Sequence, residues 1–590
     1  MGGKRKEAMR RASKTSKAIP AVLLVAVVIA VSNWAFAQGG SISGSVKDLS
    51  SNQGIQGVTI TVKDASTSAL GGTTTTDASG NYSVDISSPG DYTLLASKPG
   101  YDNVSAPEVI ELSDTTPNRT VSIYMSQKAW LKYRPKAPKP ALSWETGVGK
   151  NYLIPALEIP GFILALNGFD RLVYGNDVYE GKKVYSTNLS TFWDHVVHGP
   201  WEFDEGAFEV SQLAHVYSGT IYYGFARSAG LNFWESSAYT FVGSFLWETA
   251  GETMPPSVND QVVSGIAGSF FGEMLFRMAS LLLEGGGGEP GFWRELGAAV
   301  LSPPTGLNRL VFGDRFKAVF PSHDPALFQR LRLGASVNTH LSNRGGSSTI
   351  NRTEATADYS MSYGLPGKPN YSYTRPFDYF HFEVTAVSSP KNPIENFITR
   401  GLLLGKKYEA GNAYRGVWGL YGSYDYISPP SFRLWITAAS LGTTAQWWLA
   451  PAVALQGTAL GGIGYGAVGT VAGIGQHDYH YGAAGQGLLA LRLILDDVAM
   501  LDATGYQYYI SDLGSTETRG RETIDRLNVG LTVRIYGHHG LGIQYTASSR
   551  NANYPDRANS RQTEGTFSLV YTLLSDTRFG VVEWRDVGSR

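Results

Sequence analysis

The sequence predicts a mainly β protein: an outer-membrane antiparallel β-barrel of about 12 strands with a helical insert, preceded by a small β-sandwich. Three observations carry this. Of 590 residues 69 are Gly and 33 are Tyr, and only 17% are charged, against about 25% in ordinary globular chains. The carboxyl half alternates apolar and polar residues with period two. The amino terminus has the form of an export signal. The absence of Cys excludes thiolate metal sites, Cys nucleophiles and disulfide staples.

Residues 1–37 carry the signal. Lys4, Arg5, Lys6, Arg10, Arg11, Lys14 and Lys17 make a basic start, and Ala21–Val31 is an apolar run too short to cross a bilayer. Ala35-Phe36-Ala37 has the small-x-small form of a signal-peptidase site, which makes Gln38 the first mature residue. Cleavage there moves the formal net charge from −1 to −7. A mature chain so acidic, with no basic cluster, argues against nucleic acid as a partner.

Residues 38–127 read as the sandwich. Val58, Ile60 and Val62 alternate with Thr59 and Thr61, the pattern of a strand with one buried face. Asp77-Ala-Ser-Gly80 supplies turn chemistry before Tyr82, Val84 and Ile86. This order of turns and strands, through Pro89-Gly90-Asp-Tyr92 and Gly100-Tyr101, resembles the carboxypeptidase regulatory-like domain. The resemblance implies a prealbumin-like module without catalytic groups, one that spaces or binds, with a carbohydrate or protein ligand as its expected partner. Residues 128–142, with Pro135, Pro138 and Pro140 among Lys and Arg, read as a stiff linker.

Residues 327–590 supply the barrel strands. Leu331, Leu333, Ala335 and Val337 alternate with Arg332, Gly334, Ser336 and Asn338, and Leu527 to Ile535 repeats the code. Runs of about ten residues suit tilted transmembrane strands, and roughly 22 residues per strand and connection gives about 12. Asn338, Asp358 and Arg526 then face a lumen and the apolar set faces lipid. The expected partners are outer-membrane lipid and the barrel-assembly machinery of a Gram-negative envelope. The chain does not end on the aromatic residue common in last barrel strands, so Phe579 or Trp584 is the expected substitute.

Residues 143–326 are helical. Gln212, His215, Gly219, Tyr223, Ala226 and Gly230 recur at helical spacing, and Ser236–Ala250 forms a second stretch stopped by Pro255-Pro256. Ser257 is placed to cap a third helix, along which Ser264, Gly268 and Gly272 make a small-residue stripe. Glu273 and Arg277 stand one turn apart as an ion pair. Over about 195–310 the polar positions resemble an uncharacterised bacterial envelope domain of unknown function. The positions that match are His215, Gly219, Tyr223, Ala226-Arg227, Gly230, Trp247-Glu248, Glu252, Ser257-x-Asn259-Asp260, Gly272-Glu273 and Arg277. The resemblance implies an envelope protein and brings no activity, substrate or cofactor.

The candidate site residues are therefore His215, Arg227, Glu248, Glu252, Asp260 and Glu273, ionisable groups on otherwise apolar helices. Each needs a partner if buried. Three readings follow: a salt-bridge lattice, a general acid–base pair of His215 with Glu248 or Asp260 acting on an envelope lipid, and a metal site. The lattice leads, because no Ser nucleophile elbow and no His-x-x-Glu-His zinc spacing is present. No cofactor is expected. The leading function is a channel, scaffold or binding barrel plugged internally by the helices, with its sandwich in the periplasm. The alternative is a membrane-embedded enzyme.

Overall fold

The computed structural model describes residues 40–585 apart from short stretches, the longest being 127–141, 344–352 and 470–478. The export signal lies outside the described residues, as does the linker apart from Leu142.

The amino-terminal unit is a two-sheet sandwich. One sheet holds β1 (Gly40–Asp48), β4 (Asn81–Ile86), β8 (Asn118–Thr120) and β9 (Ile123–Met125). The other holds β2 (Thr59–Asp64), β3 (Leu70–Thr75), β5 (Gly90–Ser97), β6 (Val104–Ser105) and β7 (Ile110–Leu112). Ile42, Val58, Ile60, Val62, Val84 and Leu94 meet between them, so the period-two faces are the buried ones.

A helical domain follows. It comprises α1 (Leu153–Val173), a two-stranded ribbon β10–β11 (Val178–Tyr179, Lys182–Lys183), α2 (Leu189–Val197), α3 (His215–Ser228) and α4 (Phe233–Ala250). After these come α5 (Val258–Val262), α6 (Gly268–Glu284), α7 (Phe292–Leu301) and α8 (Pro303–Phe312). A π-turn at Val210–Ala214 leads into α3, and another at Val263–Ala267 joins α5 to α6. Asn232 caps α4 in a reciprocal box with Glu235, and the Ser257 hydroxyl accepts from Asp260 N–H at the start of α5. The small-residue stripe is a close helix crossing. A Cβ on Gly268 would lie 2.6 Å from Gly219 Cα, and one on Gly272 would lie 2.7 Å from the Tyr223 ring.

The carboxyl half closes into an antiparallel barrel of twelve strands. They are β12 (Leu327–Asn343), β13 (Thr353–Tyr363), β14 (Phe380–Val387), β15 (Ile394–Ala410), β16 (Tyr414–Ile427) and β17 (Leu434–Ala450). The remainder are β18 (Val453–Gly469), β19 (Tyr479–Leu495), β20 (Ala499–Ile510), β21 (Arg521–Tyr536), β22 (His539–Asn553) and β23 (Ser560–Leu574). Closure pairs β12 with β23, leaving no edge. Five strands run to 17 residues, beyond the ~9–11 that a tilted crossing needs, so the barrel projects past one apolar belt.

Register fixes which side chains point out. Leu331 pairs with Tyr359, Tyr359 with Val384, Val384 with Phe397, Phe397 with Tyr426, Tyr426 with Trp435, and Trp435 with Ala467. Directly opposed residues share a face, so this whole row points outward with Leu333, Leu441, Ile463, Leu527 and Leu569, which are exposed. The alternate set, including Arg332, Asp358, Asn338 and Arg526, points into the lumen.

That register corrects the expected internal plug. The helices lie against the outside of the barrel. Phe271 of α6 meets Phe382 and Phe397, Phe208 meets Tyr426 and Tyr479, and Phe203 meets Tyr465 and Tyr481, all with ring centroids within 6.0 Å. Outward glycines admit the helix: a Cβ on Gly422 would lie 2.4 Å from the Phe270 ring. Thus outward Tyr359 is 1% exposed where the helices cover it, while outward Ile463 is 78% exposed. The physical reason is polarity. The lumen face carries guanidinium and carboxylate groups, whereas the outer face of β13–β19 offers aromatic rings to apolar helices.

Candidate functional site

Five of the six predicted residues fall into two clusters. The first is a closed ionic chain. Glu273, with no exposure, accepts from Tyr223 OH (2.7 Å), Arg227 Nε (2.8 Å) and Arg277 Nε (2.7 Å). Arg277 Nη1 goes on to donate to Asp378 Oδ1 at 3.0 Å, in the connection between β13 and β14. Asp378 also accepts from the backbone N–H of Thr374 and Arg375 at 2.9 and 2.7 Å. Arg227 lies 4.7 Å from the centres of the Phe276 and Phe320 rings, so the cations are covered by aromatic faces. Every charge meets its opposite, and the chain ties α3 and α6 to the barrel.

The second cluster gathers His215, Glu248 and Asp260. Nitrogen or oxygen atoms of the three lie within 4.8 Å of one another. His215 Nε2 stands 3.6 Å from Asp260 Oδ2, and the His side chain is 16% exposed against 4% for Asp260. Local structure sets this geometry. The π-turns fall just before His215 and just after Val262, and each shifts the helix phase beside the cluster. Glu248 Oε2 accepts from Ser257 N–H at 2.8 Å, which ties the end of α4 to the cap of α5. Asn259 Nδ2 donates to Asp260 Oδ1 at 3.1 Å. Such an arrangement of one imidazole and two carboxylates can relay a proton or hold a cation.

Glu252 joins neither cluster directly, since its Oε1 accepts from Trp247 Nε1 at 3.0 Å. Sequence reasoning singled out Glu273 and Arg277 as neighbours but missed Asp378 and the Tyr223 hydroxyl. Asp378 sits in an irregular connection where no periodicity marks it; its local signal is the Arg375-Pro-Phe-Asp378 run.

The lumen is the remaining site, and ion pairs and hydrogen bonds brace it across. Arg526 Nη2 reaches Glu395 Oε1 at 3.2 Å between β21 and β15, opposite walls of the barrel. Asp502 sits between Arg330 Nη1 (2.6 Å) and Arg492 Nε (2.9 Å), and Tyr508 OH donates to Asp425 at 2.7 Å. A cavity of about 100 Å³ survives here, lined among others by Arg330, His381, Glu383, Arg400 and Arg492. Segments of the chain cross both ends of the lumen. The tail after β23 folds back, with Gln446 Nε2 donating to Val582 O (2.7 Å) and Gln456 Nε2 to Gly580 O (2.8 Å). Phe579 and Trp584 belong to this tail and not to the last strand. At the far mouth Phe432 packs with Ile436, Val468 and Ile524, and Ser431 Oγ donates to Glu564 at 2.6 Å across the opening.

Fold and site together define a closed twelve-stranded β-barrel with an external helical domain and a braced lumen. Residues 200–304 match the family described as a domain of unknown function (DUF3943), and residues 41–126 match the carboxypeptidase regulatory-like domain. No curated protein matches the sequence. Among solved structures, the NanC porin is similar over 42% of this chain and 98% of its own, at 8% identity and a TM-score of 0.22. The outer membrane channel DcaP of Acinetobacter baumannii is similar over 42% and 96%, at 6% identity and a TM-score of 0.21. The group B streptococcus pilus 2b backbone protein is similar over 15% of this chain, at 18% identity and a TM-score of 0.13; the match spans 41% of that protein's length. The barrel assignment itself rests on the strand pairing described above.

Proposed function

We propose that the protein is an outer-membrane channel held occluded by its own chain, with the helical domain forming part of its lipid-facing wall. The observation that carries this is the folded-back tail, hydrogen-bonded to the lumen glutamines Gln446 and Gln456. A permanently open pore needs a continuous aqueous path, and here segments of the chain cross both ends and ion pairs brace the middle. The wall supports membrane placement. Outward Leu441, Ile463 and Leu569 on the strands, and Leu157, Leu164, Leu172, Trp293 and Leu310 on the helices, are exposed apolar groups that suit lipid. The tail lies at the end with short turns, such as 451–452 between β17 and β18, which is the periplasmic end in barrels of this type. The sandwich, which precedes the helical domain, is accordingly periplasmic in this reading, where it offers a surface for a carbohydrate or protein ligand.

Planar-bilayer recording tests the proposal. The full chain is expected to stay mostly silent, and Gln446→Ala with Gln456→Ala is expected to release the tail and raise conductance. Steady large conductance from the unaltered chain would contradict occlusion. Silence in both would leave a scaffold as the better description.

A further inference from the structure

We propose that His215, Glu248 and Asp260 form a binding site for one divalent cation of the zinc class, on the outer face of the barrel where α3, α4 and α5 converge. The donor set is one imidazole nitrogen and two carboxylate oxygens, a combination that zinc accepts in tetrahedral geometry with a fourth position open. Their mutual spacing, within 4.8 Å, needs only a small contraction to reach ligand distances of roughly 2.0–2.2 Å around a shared ion.

Electrostatics points the same way. Among the described residues the ion partner of the Asp260 carboxylate is His215, at 3.6 Å, which is looser than the 2.7–2.8 Å contacts of Glu273 with Arg227 and Arg277. A cation would supply the charge that guanidinium groups supply in the neighbouring cluster. Two further buried polar groups lie on the same helical segments as the ligands. Gln212, fully buried three residues before His215, has no hydrogen-bond partner for either side-chain atom. Ser244, four residues before Glu248 and so on the same face of α4, has a buried hydroxyl also without a partner. Both could serve an ion or its bound water. Both carboxylates are already oriented: Ser257 N–H donates to Glu248 Oε2, and Asn259 Nδ2 donates to Asp260 Oδ1 while Oδ2 faces His215. The partial exposure of His215 gives an entry path.

The test uses the untagged full chain, purified in detergent, stripped by chelator and dialysed against Zn²⁺ with elemental analysis. One equivalent is expected in the heat-modifiable, folded protein. Glu248→Gln and His215→Gln should each weaken binding by about tenfold or more while the barrel stays folded. Should those variants fail to fold, X-ray absorption of the zinc-loaded unaltered chain decides: a mixed imidazole and carboxylate shell supports the site, and an all-oxygen shell overturns it. Failure of the folded, unaltered chain to bind one equivalent, or unchanged binding by folded Glu248→Gln and His215→Gln, also overturns it.

Discussion

Glu273 and Asp260 are both buried carboxylates on one helical run interrupted by a π-turn, and they keep different company. Glu273 accepts from two guanidinium groups and a phenol, and its chain of pairs continues to Asp378 on the barrel. Asp260 meets an imidazole at longer range, together with the polar groups of its own helix cap. The first cluster is electrostatically complete and holds two domains together. In the second the His215–Asp260 contact is longer, the imidazole is partly exposed, and two π-turns flank the group. Burial of an ionisable residue therefore does not by itself assign a role; the chemistry and range of its partners do.

Mutations should separate the two clusters sharply. Glu273→Gln leaves buried Arg227 without a carboxylate and Arg277 with Asp378 alone, and is expected to cost about 3–5 kcal/mol, seen as loss of heat-modifiability or failure to assemble. If that variant assembles normally, the lattice is not what holds the helices to the barrel. Gly268→Leu places a side chain against Gly219 backbone and should cost roughly 1–3 kcal/mol, with faster proteolysis of the helical domain as the readout. Glu248→Gln keeps an oxygen for Ser257 N–H and removes the charge, so a stability change within about 1 kcal/mol is expected in thermal melts. A loss as large as that of Glu273→Gln would erase the distinction drawn here.

The smallest effect belongs to the sandwich. Backbone N–H groups of Asn81 and Ser79 donate to the Asp77 carboxylate at 2.9 and 2.8 Å and hold its pKa below the usual value. A depressed folded-state pKa gives stability that is present above the unfolded value and lost as pH falls through the folded one. Urea melts of segment 38–127 across acidic pH should show that slope, and Asp77→Ala should flatten it. An unchanged acid limb in the variant would mean that the turn, exposed as it is, contributes nothing measurable.

Much of this architecture was legible in the sequence. Alternation in residues such as Leu331–Val337 announced strands with one apolar face, and the Ser264-Gly268-Gly272 stripe announced a close helix contact. The Ser257 cap and the Glu273–Arg277 pair were also visible, because each is set by spacing along one helix. The side of the barrel on which the helices lie was not. Alternation tells which strand residues share a face, but Tyr359, Phe382 and Tyr424 look alike whether lipid or a helix covers them. The pairing of Arg277 with Asp378 was equally hidden, since it joins residues about a hundred positions apart through an irregular connection. Likewise the tail beyond β23 gave no sign of folding back to Gln446 and Gln456.

The placement of the helices outside the barrel is tested most directly by a photo-crosslink from the interface. Phe203, partly buried, faces the outward Tyr465 and Tyr481 rings at 6.0 and 5.5 Å. A benzophenone side chain substituted at Phe203 should form adducts that map by mass spectrometry to Tyr465, Tyr481 and their outward neighbours. Adducts on lumen-facing residues such as Gln486 or Asp425 would contradict the external domain and restore the internal plug.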